Sequence, residues 1–306
     1  MPAAAAPLTA VSAAGAGTGD QSEASRSTIR LFAGVFLQNR LAIIGLGTIV
    51  LIALFSFLGP HLYVTNQVST NIADLTQPPS AAHPLGTDTV GYDVLGRLML
   101  GGQSTLEVGL AAAVLSSLIG AVWGGIAGYA GGWVDSLMMR VVDSFLAIPP
   151  LLLMMILASA YTPTIPVLII VIALVSWLIT GRLARGDALS LRVREYIQAA
   201  RMFGAGKGRI IIRHIFPNII GTIIVQTTLS TANAILLLAS LSYLGLGPPP
   251  PATNWGEMLS NGLNYIYDGY WWLIYPAGIL IVLTVVAFNF VGDALRDAFE
   301  VRLVQR

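Results

Sequence analysis

Six long apolar runs decide what this chain can fold into. They cover roughly residues 41–58, 106–129, 134–160, 163–179, 219–244 and 273–291. About 20 apolar residues in a helix cross the hydrocarbon core of a bilayer. Backbone polar groups find no water there, so a spanning run must pair them internally, as a helix. The expected fold class is therefore an all-α polytopic membrane protein with six transmembrane helices. Composition agrees: 55% of residues are hydrophobic and 10% charged, where a soluble domain carries charge at about a quarter of its positions.

Several functions drop out. A formal net charge of +1 argues against a nucleic-acid partner. With no Cys, disulfides, thiolate metal sites and thiol catalysis are excluded together. His61, His83 and His214 stand far apart without ligand spacing, so no metal site is expected. Residues 1–28, rich in Ala, Gly, Ser and Thr, read as a disordered tail. No basic segment precedes an apolar one there, so they do not read as a signal peptide.

Charge sets the orientation, because cytoplasmic loops collect Lys and Arg. An inside N-terminus carries Arg26, Arg30 and Arg40. Six crossings return the C-terminus, with Arg296, Arg302 and Arg306, to the same side. Both termini are therefore expected in the cytoplasm. The loops at about 59–105 and 245–272 then face outward and hold a single cation, Arg97. The outer stretch GPPPPATNW is expected to run extended over residues 248–251. Tyr265, Tyr267, Tyr270, Trp271 and Trp272 are expected to form an interfacial aromatic belt.

Between the fourth and fifth runs lies GRLARGDALSLRVREYIQAARMFGAGKGRIIIRHIFP, residues 181–217. It holds eight of the chain's 16 Lys and Arg residues. GAGKG is not a phosphate-cradling loop. Lys207 is followed by Gly208 instead of Ser or Thr, Arg201 stands where the first Gly of that motif belongs, and no strand precedes it. The pattern predicts a helix over 185–203, a sharp turn at Gly204, Gly206 and Gly208, and a second helix from Lys207 until Pro217 opens the next span. Tyr196, Ala199, Ala200 and Phe203 are expected to form the apolar face of the first helix. One reading lays this amphipathic loop on anionic lipid. The other sees a flat patch of small residues, Ala199, Ala200 and Gly204, against which a partner's backbone can press.

The order of residues bears on that choice. Gln198, Ala199, Ala200, three residues, Gly204 and then Pro217 resemble the cytoplasmic coupling loop of ABC importer permeases. That family reads Glu-Ala-Ala, three residues, Gly, nine residues, Ile-x-Leu-Pro. Gln198 replaces the acid, with Glu195 a turn earlier, and His214 and Phe216 depart from the type. HPLGTDTVGYDVLGR (residues 83–97), GYAGGWVDSLMMRVVDSFLAIPPLLL (128–153), SYLGLG (242–247) and AFNFVGDALRDAFEVRL (287–303) are similar, in the same order, to the C-type subunit of the dipeptide/oligopeptide/nickel subfamily. Tyr92 departs from the Arg usual there, and Leu238 from a frequent acid.

The resemblance implies a type I ABC importer permease fold over residues 29–306, with a coupling loop at about 182–217, in a prokaryotic plasma (inner) membrane. It implies no catalysis and no cofactor in this chain, with ATP and Mg bound by partner subunits. The implied partners are a second, B-type permease, two ATP-binding subunits and an extracytoplasmic solute-binding protein, all around a lipid bilayer. Glu195, Gln198, Ala199, Ala200, Arg201 and Gly204 are the expected ATPase-docking contacts. The implied cargo is a di- or oligopeptide, with nickel, glutathione or an oligosaccharide as alternatives. A secondary transporter is the rival from another class, but it calls for coupling charges near the bilayer midplane. A membrane scaffold without transport is a third.

The spans add three features. Ala112, Ser116, Gly120, Gly124 and Gly128 form a small-residue groove on one helix face, suited to packing within the chain or against a partner permease. Arg140 and Asp143 are expected to pair near the inner end of the third span, structurally or functionally, ahead of a kink at Pro149 and Pro150. Gln226, Ser230 and Asn233 share one face of the fifth span. That face lines a translocation path or makes an interhelical hydrogen bond.

Overall fold

The structure is a computed structural model that describes residue 34 and residues 36–304. The tail expected at residues 1–28 lies outside the described residues. The long helices are α1 (Arg40–Phe57), α2 (Val94–Ala130), α5 (Ile165–Leu191), α7 (Lys207–Leu246) and α9 (Tyr275–Val304). Between α2 and α5 stand α3 (Gly132–Leu146) and α4 (Pro150–Ser159), bent by 84° against each other. Short α6 (Glu195–Met202) precedes α7, and α8 (Trp255–Leu263) precedes α9. Among the described residues, five spans are long and apolar enough to cross a membrane, and six if the bent pair is one span. The break falls where two successive prolines exclude a continuous helix.

Three helices are longer than their apolar runs. α2 starts at Val94 and not near residue 106, because Asp93 caps it, its carboxylate accepting from the Gly96 N–H at 2.8 Å. The polar residues of its first turns are satisfied by neighbours: Gln103 donates to the Ser56 carbonyl at 2.8 Å and Thr105 to the Gly101 carbonyl at 2.7 Å. α5 continues past residue 179 to Leu191 because acids on α3 pair its arginines. α7 starts at Lys207 and runs through Pro217, since a π turn at Ile211–Ile215 precedes the proline and the Phe216 N–H reaches back to the Ile211 carbonyl.

The small-residue groove of α2 lies against α5. A methyl group on Gly120 would come within 2.7 Å of the Trp177 carbonyl oxygen, and one on Gly124 would collide with the Gly181 carbonyl oxygen. The groove is therefore a contact within the chain, backbone against backbone. α7 packs against α2 and α9, and α9 packs on α1.

One end of the bundle carries the long connections before α2 and after α7; call it the loop end. Trp255 is fully buried there and donates from its indole to the Leu98 carbonyl at 2.9 Å. The expected aromatic belt is divided. Tyr267 and Trp271 are exposed, but Trp272 is buried and donates to the Thr87 carbonyl at 3.2 Å. The proline stretch is not extended throughout: Pro250 and Pro251 lie in a turn. The opposite end carries most of the arginines between α5 and α7; call it the basic end.

Candidate functional site

At the basic end, α5 stops at Leu191, and Arg192 and Arg194 turn the chain through bonds to the Ala188 and Leu191 carbonyls, both 3.0 Å. The single helix expected over 185–203 is thus two helices with a bend. In α6, Ile197 is 0% exposed, packed in one cluster with Tyr129, Ala184, Ala188, Ile210, Ile215 and Ile219. It is the one large aliphatic side chain in EYIQAARM, and burying it fixes which face of the helix turns inward. The apolar face expected at Tyr196, Ala199, Ala200 and Phe203 is therefore corrected. Tyr196 and Ala199 are exposed, Ala200 is half-buried, and Phe203 is 91% exposed beside Met202 at 89%.

Gly204 ends α6 in the left-handed region, with φ +80. The N–H groups of Phe203, Gly204 and Ala205 close on the carbonyls of Ala199, Arg201 and Ala200 at 2.9–3.0 Å. Gly206 then starts α7 in extended conformation. Tyr196 meets the His214 ring with centroids 6.1 Å apart, and Arg201 lies 4.9 Å over the Tyr129 ring. The result is a helix–turn–helix clamped to the bundle by Ile197. Glu195, Gln198, Ala199, Arg201 and Gly204 are all exposed, and no atom stands within 4 Å of a methyl group built on Gly204.

The other expected residues fare differently. Gln226 donates to the Ser230 hydroxyl at 3.2 Å, so these two satisfy each other on one face of α7. Ser230 is buried and Asn233 is exposed, so the third member does not join them. Thr227, Thr228 and Thr231 bond carbonyls one turn back. Arg140 and Asp143 do not pair. Asp143 takes Arg182 of α5 at 2.5 Å, because the neighbouring helix brings a guanidinium to it. Arg185 holds Asp135 in the same way, at 2.5 and 2.8 Å. Sequence reasoning missed Asp135 and Arg185. The signal was present, as two acids on one short helix and two arginines three residues apart on α5.

At the loop end, Arg97 is a buried side chain and not a free loop cation. It donates to the Pro251 carbonyl at 2.8 Å, stacks on Tyr92 at 4.5 Å and approaches Asp88 at 3.9 Å.

Residues 120–305 match the family described as "binding-protein-dependent transport system inner membrane component". The chain belongs to that family. Residues 27–79 match the "N-terminal TM domain of oligopeptide transport permease C". The chain is 39% identical over 293 residues to the oligopeptide transport system permease protein OppC of Bacillus subtilis, covering 95% of this chain and 96% of that protein. It is 42% identical over 287 residues to a putative peptide permease protein of Brucella suis, covering 93% and 94%. A chain of the MetNI methionine ABC transporter, solved in inward-facing conformations, shares the fold at a TM-score of 0.51 with 18% identity, covering 65% of this chain and 94% of that one. This is a multi-pass inner-membrane permease of the peptide ABC transporter family, with the type I importer permease fold.

Proposed function

We propose that this chain forms half of the translocation pore of an ATP-driven peptide importer and couples it to cytoplasmic ATPases. The second half is a B-type permease, and a solute-binding protein delivers the di- or oligopeptide from outside. The basic end faces the cytoplasm with both termini, and the loop end faces out. ATP and Mg are bound by two partner subunits, so this chain moves and does not hydrolyse.

One observation carries the reading. Ile197 anchors α6 in the bundle while the turn at Met202, Phe203 and Gly204 stands clear of it. A rigid anchor beside an unpartnered tip is what transmits a push. The ATPase docks on Glu195, Gln198, Ala199, Ala200, Arg201 and Gly204, and closure of the ATPase pair moves α5 and α7 through the Ile197 cluster. Such coupling needs different contacts at the tip in the two states. Gln226, Ser230 and Asn233 line the path on α7, the first two already paired and Asn233 open.

The test is purification of the tagged chain from its native membrane in mild detergent, with mass spectrometry of what accompanies it. A second permease and ATPase subunits are expected. A chain recovered alone that still transports in liposomes would make it a secondary transporter.

A further inference from the structure

A cavity of about 520 Å³ opens at the basic end, where the ends of α2 and α5 meet α6 and the start of α7. No acid lines it, but three cations do: Arg192, Arg201 and Lys207. Arg182 and Arg185, earlier on α5, are paired with acids. Among the described residues no carboxylate comes within 4 Å of the three at the cavity. Asp135 acts on Arg192 through space, but the Arg185 fork already holds both of its oxygens. What fixes the guanidiniums is neutral. Arg192 donates to the Gly128 carbonyl at 3.3 Å. It lies against Gly131, whose φ of +65 and missing side chain make the room, since a methyl group there would collide with Nη1. Arg201 stacks on the Tyr129 ring at 4.9 Å. A carbonyl and a ring face hold a guanidinium in place and leave its net charge intact. Tyr129 also lines the cavity and is 5% exposed, yet its hydroxyl makes no hydrogen bond among the described residues. A buried hydroxyl without an acceptor is costly, and an anion in the cavity relieves it.

We infer that this cavity binds a phosphate group, and that the group belongs to the headgroup of an anionic phospholipid. The donors are the Arg192 and Arg201 guanidiniums, the Lys207 ammonium and the Tyr129 hydroxyl. A phosphate turns oxygens in several directions, which suits donors arriving from four parts of the chain. A carboxylate, planar and with two oxygens, satisfies fewer of them. Position argues for lipid as the source. Tyr129 and Arg192 stand at the ends of two membrane-length helices. Trp133, just past the Gly131 turn, is exposed, and so is Val193 at the border of the cavity. An exposed Trp at the end of a span marks the headgroup level. Basic pockets between spans take anionic headgroups at that depth. Neither an ATPase nor a peptide takes part, so the site stands or falls apart from the importer reading.

Lys207 is the chain's single lysine, so amine labelling reads the cavity without a variant. The experiment uses the full chain in a neutral detergent, without ATPases. Acetylation of Lys207 by an N-hydroxysuccinimide ester is followed by peptide mass spectrometry, with phosphatidylglycerol, phosphatidylcholine or glycerol phosphate added. Phosphatidylglycerol is expected to slow the labelling about fivefold or more. Phosphatidylcholine, whose choline cation meets the same three charges, is not. Arg192→Gln is expected to abolish the protection, and Arg213→Gln, exposed and outside the cavity, to keep it. No protection of the parent by phosphatidylglycerol overturns the proposal, and so does equal protection by both lipids. Neither comparison needs a variant, so a misfolded Arg192→Gln cannot rescue or sink it. Equal loss in the two variants also overturns it, since the attraction then belongs to the basic loop as a whole. Equal protection by glycerol phosphate keeps the phosphate site and overturns the lipid source. Protection found only in complexes that carry an ATPase makes the cavity part of that interface and overturns the lipid site. A failure in the chain alone leaves docking at α6 untouched.

Discussion

Arg185 of α5 grips Asp135 of α3 with both sides of its guanidinium fork, Nε to Oδ1 at 2.5 Å and Nη2 to Oδ2 at 2.8 Å. The Asp135 side chain is 11% exposed and that of Arg185 36%. Arg182 holds Asp143 of the same helix further along α3. α3 ends at the proline break, so these pairs tie the first half of the bent span to α5.

Arg185→Met is therefore expected to destabilise the chain by roughly 1–2 kcal/mol. That lies between the near-zero value of an exposed pair and the several kcal/mol of a fully buried one. The double variant Asp135→Leu with Arg185→Met is expected to recover much of the loss, because no charge is then left unpaired. Thermal melting in detergent across the four-member cycle measures the coupling. Additive losses would mean that the fork contributes nothing beyond two separate side chains.

Helix existence was legible in the sequence because apolar length alone dictates it. The break at Pro149 and Pro150 and the turn at Gly204 were legible for the same kind of reason, local backbone chemistry. Helix ends were not. Gln103, Arg182 and Arg185 look like loop residues until their partners are known, and those partners sit on other helices. In the same way Asp143 chose Arg182 over Arg140, a contact between residues 39 positions apart in the chain. The turn at Gly204 was read correctly in place, but the helix before it was not read correctly in rotation. One buried isoleucine, Ile197, sets which face looks out.

Gly124 offers a test of the α2–α5 contact. Gly124→Ala puts a methyl group into the Gly181 carbonyl, a backbone atom that cannot swing aside. A loss of about 1–3 kcal/mol is expected, toward the upper end. Gly47→Ala on α1, with nothing within 4 Å of the new methyl, is the matched control and should melt like the parent. Equal melting of both variants would show that α2 and α5 pack less closely than described.

Glu257 predicts a pH dependence with a definite sign. Burial first, against the weaker pull of Arg97, raises its carboxyl above the ordinary 4.5, and Asp88 adds to the rise. A folded value above the unfolded one means a contribution that is fully present below pH 4.5 and lost as pH rises through the folded value. At neutral pH the ionised group opposes folding. Glu257→Gln is thus expected to melt higher than the parent at neutral pH, with the gap closing once pH falls below 4.5. A gap that widened on acidification would reverse the sign and rule out burial as the dominant cause.

Gly204 tests the proposal that this turn docks an ATPase. Its φ of +80 lies in the left-handed region, where a side chain costs about 1–2 kcal/mol, least for Asn and Asp. The space around it is open, so Gly204→Asn and Gly204→Asp should both fold and insert with only that backbone cost. They differ in charge and hardly in shape. If the ATPase needs only close backbone approach at this point, both variants uncouple ATP hydrolysis from uptake equally. If the docked surface is also dry, Gly204→Asp is the more severe, because a buried unpaired carboxylate costs several kcal/mol more than an amide. The measurement is ATP-driven peptide uptake alongside ATPase activity in reconstituted complexes of each variant. Normal uptake by Gly204→Asp would remove this turn from the docking surface, whatever the family resemblance suggests.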